Sequence, residues 1–134
     1  MNIALLAHDR RKELMVQFCI AYCGILAGHS ISATNTTGRL VSEATGLPIS
    51  LYLSCNQGGS QQIGSRIAYN ELDMVLYFSD PQLIEEYQGS VMEIARLCDQ
   101  HHVPFASNVA TAEVLIHGLN RGDLAWRDIV NPKS

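Results

Sequence analysis

Two segments of the chain concentrate hydroxyls and glycine immediately before stretches of helical period. They are Thr34-Asn35-Thr36-Thr37-Gly38 and Ser54-Cys55-Asn56-Gln57-Gly58-Gly59-Ser60. Such a segment can offer backbone N–H groups, side-chain hydroxyls and the positive end of a helix dipole to a single anion, which describes a phosphate cradle. Hydroxyl-rich loops also cap helices with no ligand present, so either one alone is ambiguous, and two at one edge of a sheet favour binding. Lys12, one turn into the first helix, can reach over the same edge as a point charge, or simply be solvated. Asp9 is either the N-cap of that helix or a carboxylate directed into the pocket. His8, between a strand and that cap, can donate to a ligand oxygen. Cys55 is borne on a loop but has no base evident beside it, and no Ser-His-Asp or Cys-His arrangement can be assigned. His29, His101, His102 and His117 read as surface or boundary residues. Adjacent His101 and His102 cannot face one way on a helix, and no His/Asp/Glu set has the spacing of metal ligands, so neither metal nor cofactor is expected.

The elements that must position these residues follow from the alternation of short apolar runs with longer helical periods, the pattern of βαβ units around a parallel sheet. Strands are predicted at Asn2–Ala7, Ser30–Thr34, Ile49–Leu53, Met74–Phe78 and Pro104–Ser107. A helix of about four turns is predicted over Arg11–Leu26, where Leu14, Met15, Phe18, Tyr22 and Ile25 recur at three- and four-residue steps. Further helices are predicted at Gly38–Ala44, Ser60–Tyr69, Ser90–His101 and Thr111–Leu119. In an open parallel sheet a ligand sits outside the carboxyl ends of the strands. That rule selects His8-Asp9, Thr34 to Gly38, Ser54 to Ser60, Ser79-Asp80-Pro81 and Asn108 to Thr111.

Composition narrows the setting. A chain of 134 residues, 47% hydrophobic and 16% charged, suits one domain over residues 1–134 that needs no disulfide or metal to hold it. The four cysteines form no CxxC pair, which favours reduced thiols in a cytoplasmic protein. Asn2–Ala7 is apolar but runs straight into His8-Asp9-Arg10-Arg11-Lys12 with no cleavage site, so it reads as a strand and not a signal sequence. No apolar run approaches the roughly 20 residues of a membrane span, and no membrane partner is expected. A net charge of −4 argues against a nucleic acid polymer as partner, leaving a small-molecule ligand. There is no internal repeat or linker, and the tail from Asn120 is expected to pack on the same domain.

Taken together, the opening Ile3-Ala4-Leu5-Leu6-Ala7-His8-Asp9 with Lys12, Thr34-x-Thr36-Thr37-Gly38, Glu43-Ala44-Thr45-Gly46-Leu47, Gly58-Gly59-Ser60-Gln61-Gln62-Ile63-Gly64, Asp80-Pro81 and Asn108-x-x-Thr111-Ala112-Glu113 resemble methylglyoxal synthase over nearly the whole chain. The resemblance implies a three-layer α/β/α sandwich around a mainly parallel five-stranded sheet, assembled as a homo-oligomer, usually a homohexamer. It also implies one phosphate site per subunit, and conversion of dihydroxyacetone phosphate to methylglyoxal and inorganic phosphate through an enediol. Positions matching the family's phosphate-binding residues are Lys12, Thr34, Thr36, Thr37 and Ser54, with His8 and Asp9 also kept. The family loop Ser-Gly-Pro-x-Gly-Gly-Asp-Gln-Gln carries the catalytic base, and this chain has Ser60 at that aspartate and Cys55-Asn56 at Gly-Pro. The family's later histidine and second aspartate match Tyr87 and Ser90, Asn35 replaces a glycine, and its C-terminal arginine has no clear match.

An unassisted serine is a poor base, since its alcohol ionises far above neutral pH. Swapping two carboxylates for hydroxyls also removes repulsion beside an anion, and Tyr87 adds a planar face for a ring. The expectation from these departures is a non-catalytic member binding a phosphorylated small molecule, such as a nucleotide-derived signal, as a sensor or sequestering sponge. Its expected site comprises His8, Lys12, Thr34, Asn35, Thr36, Thr37, Ser54, Cys55, Gly59, Ser60, Tyr87 and Ser90. The alternatives are an active synthase in which Asp9 and His8 do the chemistry, and a regulatory subunit that co-assembles with a true synthase.

Overall fold

The computed structural model describes residues 1–82 and 88–130, the side chains of 88 and 89 excepted. Five parallel strands lie in the order β3-β2-β1-β4-β5, formed by β1 (Asn2–Ala7), β2 (Ser30–Thr34), β3 (Ile49–Tyr52), β4 (Met74–Phe78) and β5 (Phe105–Ala106). β1 is central because it is apolar on both faces, as a strand covered by helices on both sides must be. Ile3, Leu5 and Ala7 pack into one cluster with Met15, Phe18, Val41 and Ile116, while Ala4 and Leu6 pack into another with Ile63, Ile67, Ile94 and Cys98. The first cluster lies under α1 (Lys12–Ala21), α3 (Asn35–Thr45) and α6 (Val109–Arg121), and the second under α4 (Gly59–Ala68) and α5 (Gln88–His101). The parallel sheet is the one that the alternation of apolar runs predicts, and the three layers are those that the family resemblance implies.

The chain winds β1, β2, β3 outward, then crosses back to place β4 on the free side of β1. This reversal opens a crevice at the carboxyl ends of β1 and β4, the place where such sheets bind ligands.

Two sequence expectations are corrected here. The segment expected as one helix over Arg11–Leu26 begins as a 3-10 turn at Asp9–Arg11, runs as α1, and breaks at Tyr22 before the single turn of α2 (Cys23–Leu26). Tyr22 sits at φ −110°, ψ 21°, where its ring packs on Phe18 and its hydroxyl bonds Glu113 of α6, so a tertiary contact interrupts the local period. The segment Thr34 to Gly38 is not a loop before a helix. Thr34 is the extended end of β2 and α3 starts at once with Asn35. Strands β3 and β5 are also shorter than predicted, β5 by two residues.

Among the described residues no helix is long and apolar enough to cross a membrane. The C-terminal α7 (Trp126–Val130) is anchored by Arg127, which is fully buried. Its guanidinium donates to Asp73 Oδ1 at 3.2 Å, to the Leu72 carbonyl at 3.2 Å, and to the His102 carbonyl. Asp73 Oδ2 in turn accepts the Asn2 N–H at 2.8 Å. One buried ion pair thus ties together the starts of β1 and β4, the end of α5 and the tail. Arg127→Met should leave the Asp73 carboxylate buried without its counter-charge and lower stability by about 3–5 kcal/mol. Urea unfolding monitored by circular dichroism reads that loss directly, and a change under about 1 kcal/mol would mean that water replaces the guanidinium.

Candidate functional site

β1 delivers His8 to the crevice. The His8 N–H donates to the Phe78 carbonyl at 3.1 Å, extending the β1–β4 ladder by one step. The Asp80 N–H donates to His8 Nδ1 at 2.8 Å, so a neutral ring carries its proton on Nε2. His8 is buried, and burial lowers its pKa more than the Asp80 carboxylate raises it, with Lys12 adding to the lowering. The ring is therefore an uncharged donor at neutral pH. Asp80 is itself buried: Oδ1 accepts the Gln82 N–H at 2.9 Å, and Oδ2 lies 3.8 Å from Arg10 Nε with no hydrogen bond among the described residues.

Lys12 opens α1, with its side chain largely covered and Nζ 2.5 Å from Asp9 Oδ1. The Asp9 side chain is 95% exposed, and the hydrogen bond from Lys12 holds its carboxyl below the usual range. Of the two sequence readings of Asp9, the N-cap is not realised. His8 occupies the cap position and no side chain closes it. Asp9 is instead an ionised, solvent-open carboxylate gripped by the one lysine of the site.

These residues line a cavity of about 500 Å³ together with Thr34, Thr36, Ser54, Cys55, Asn56 and Gln57. Thr36 is in the first turn of α3, where backbone N–H groups have no intrahelical acceptor, so hydroxyl and amide donors reach the cavity together. The Ser54 segment folds as a tight 3-10 turn, with the Gln57 and Gly59 N–H groups both donating to the Ser54 carbonyl at 2.9 Å. Gly58 has φ +107°, and a Cβ on Gly59 would lie 2.0 Å from the Leu53 carbonyl oxygen, so only glycine lets α4 start this close to β3. Burial pushes the Cys55 thiol up, which keeps it protonated and rules it out as a nucleophile at neutral pH.

Not every expected residue reaches this cavity. Asn35 accepts from Arg39 Nε at 3.0 Å, and Thr37 turns into the core with its hydroxyl unbonded among the described residues. Both follow from α3 beginning at Asn35, because a helix sends successive side chains about 100° apart and only Thr36 faces the crevice. Gly59 is buried in the turn behind it. Ser60 and Ser90 line a second cavity of about 730 Å³ between α4 and α5, walled by Gln61, Ser65, Glu93, Ile94 and Leu97. Cys55 and Asn56 border both cavities. Tyr87 lies outside the described residues. Asp80 and Arg10 were not singled out from sequence, although the carboxyl-edge rule does select the segment Ser79-Asp80-Pro81. Among the described residues no three His, Cys, Asp or Glu side chains converge as metal ligands.

Residues 15–107 match the family model of the MGS-like domain. The chain is 58% identical to a methylglyoxal synthase of Caldicellulosiruptor saccharolyticus over 133 residues, covering 99% of this chain and 94% of the relative. It is 49% identical to one from Oceanobacillus iheyensis over 133 residues, covering 99% and 95%. The crystal structure of methylglyoxal synthase from Elizabethkingia anophelis superposes with a TM-score of 0.78 at 34% identity, covering 86% of this chain and 76% of that one. These relatives overturn the expectation of a sensor or sponge that binds without turnover, since proteins this similar along almost their whole length are named as synthases.

Two measurements test the site. Lys12→Ala should weaken inorganic phosphate binding by about 1.5–3 kcal/mol, the scale of a hydrogen bond to a charged group, and calorimetry at low salt reads it. Unchanged affinity would place the anion elsewhere. The lowered pKa of His8 also links to stability. Between its folded value and the ordinary 6.5 the unfolded chain binds more protons. Stability is therefore whole above pH 6.5 and falls as pH drops through the folded value. His8→Gln should flatten that slope in urea titrations across the range, leaving the part due to His29, whose pKa is lowered in the same direction.

Proposed function

The chain belongs to the methylglyoxal synthase family, and from that footing we propose that it converts dihydroxyacetone phosphate to methylglyoxal and inorganic phosphate. A base removes a proton from the hydroxymethyl carbon beside the carbonyl, giving an enediolate. As the hydroxyl on that carbon gives up its proton to the departing phosphate, the electron pair expels the phosphate from the other carbon by breaking its C–O bond, and the enolate left behind takes a proton on its terminal carbon to become methylglyoxal. The cavity holds a group for each demand of this sequence. Lys12, Thr34, Thr36, Ser54 and the first-turn amides of α3 take the phosphate, and the same lysine offsets charge on it as it departs. His8 Nε2–H faces the charge that develops on the carbonyl oxygen, and a neutral imidazole suits that task because it donates without becoming an acid too strong to hold its proton.

Asp9 is the proposed proton acceptor. The observation that carries the reading is that a solvent-open carboxylate lies within hydrogen-bonding distance of the lysine of an anion cradle. Free of ligand, that carboxylate is a weak base because Lys12 stabilises its charged form. A bound phosphate shares Lys12 and adds negative charge nearby, and both effects raise the Asp9 pKa toward the range of an effective base. Substrate binding would thus activate its own base. Ser60 has no part in this scheme, for it faces the neighbouring cavity.

The test is incubation of the purified protein with dihydroxyacetone phosphate, measuring methylglyoxal and inorganic phosphate in equal amounts, with turnover in the ordinary range of about 1–10³ per second. Absence of methylglyoxal would overturn the proposal. Asp9→Asn should lower the rate by about 10²- to 10⁴-fold. Were Asp9→Asn to keep the parental rate while Asp80→Asn lost it, the activity would stand and the base would be Asp80.

A further inference from the structure

Tyr77 lines neither cavity but touches a residue of each, and nothing in the reaction outlined above uses it. Side chains alternate along β1, so Ala4, Leu6 and His8 project to the side covered by α4 and α5. Tyr77 of β4 pairs with Leu6 in register, which sets its ring diagonal to His8 on that face. The two rings meet edge to face, 5.3 Å apart at 70°. Tyr77 is fully buried, and its hydroxyl shares a hydrogen bond of 3.2 Å with Ser90 Oγ near the start of α5. Cys55 packs against the cluster that contains Tyr77, and hydrogen bonding with Tyr77 and Thr34 partly offsets the rise that burial imposes on its thiol. One phenol therefore touches His8 in the anion cavity, the shared wall at Cys55, and Ser90 in the second cavity.

The geometry points to Tyr77 as a positioning residue with two separable parts, the ring setting the plane of His8 and the hydroxyl tying the Cys55 turn to α5. This rests on the synthase reading for its kinetic consequences, though not for its structural ones. A phenylalanine would fill the same space and keep the edge contact with His8. What it would lose is the hydroxyl, whose burial costs free energy unless it is bonded, so its retention points to the bond with Ser90. The turn it steadies carries Ser54 and Gln57, both on the anion cavity. The charged groups facing His8 are Asp80 after β4, Lys12 of α1 and the adjacent Asp9, with Arg10 beside Asp80. None of them is altered by a change at position 77.

The experiment uses the protein and four variants, Tyr77→Phe, Ser90→Ala, the double variant combining these two, and Tyr77→Leu. Tyr77→Phe and Ser90→Ala should each weaken inorganic phosphate binding by about three- to tenfold, the scale of one neutral hydrogen bond. The double variant should be no worse than either, because both remove the same bond. The NMR titration of the His8 ring should be unmoved in Tyr77→Phe. In Tyr77→Leu it should shift upward toward the ordinary histidine value, because water reaches the ring. With dihydroxyacetone phosphate, the hydroxyl variants should raise KM at constant kcat, whereas Tyr77→Leu should also lower kcat. Parental phosphate affinity in both hydroxyl variants, additive losses in the double variant, or an unmoved His8 titration in folded Tyr77→Leu would each overturn the assignment. Should Tyr77→Leu fail to fold, Tyr77→Met makes the same test of the ring. If the parent forms no methylglyoxal the synthase reading fails, and the phosphate affinities and His8 titration still decide the role of Tyr77.

Discussion

Everything at the site depends on the reversal of strand order at β1. Because β2 and β4 both flank β1 in parallel, the chain leaves three neighbouring strands at one edge and presents His8, Thr34 and Asp80 within one crevice. Residues 72 apart in sequence, His8 and Asp80, share a hydrogen bond there. Among the described residues the Asp80 Oδ2 at that edge has no hydrogen bond, an arrangement that a ligand site tolerates better than a hydrophobic core. At the opposite edge, Arg127 and Asp73 close the amino ends of β1 and β4 with every guanidinium nitrogen engaged.

The electrostatics of the crevice are arranged in opposites. Lys12 holds Asp9 charged at the solvent side, while burial keeps His8 neutral below them. A phosphate arriving at Lys12 competes with Asp9 for the same cation, so binding and base strength are coupled through one side chain. In the proposed reaction, proton abstraction would thereby be joined to the anion cradle itself, with Asp9 as the base beside the His8 ring.

The division into two cavities explains why substitutions at Ser60 and Ser90 suggest a different function when they are read against the family motif alone. Placed beside Lys12, two hydroxyls in place of carboxylates would mean a pocket relieved of repulsion and built for a larger anion. In the structure they line the neighbouring space between α4 and α5, with Cys55 and Asn56 intervening. Glu93 belongs to that second space and no lysine or arginine lines it among the described residues, so the anion-binding inference loses its ground there. Relatives at 49–58% identity then favour turnover.

Much of this architecture was legible in the sequence. The apolar runs located all five strands, since a strand covered on both faces is predominantly apolar, and the carboxyl-edge rule then selected His8, the Thr34 and Ser54 segments and Asp80. Those inferences rest on local periodicity, which a few consecutive residues suffice to express. Others needed the assembled sheet. Tyr22 breaks a helix because Phe18 and Glu113 meet it, Thr37 faces inward because α3 begins one residue after β2, and Ser60 parts from Lys12 because α4 and α5 enclose a space of their own. Nothing in the sequence beside Arg127 marks it as buried. Its burial is decided only when strand order brings Asp73, 54 residues away, to face it. Periodicity is a property of neighbours along the chain, whereas ion pairing and cavity walls are properties of neighbours in space, and only the order of the strands converts one into the other.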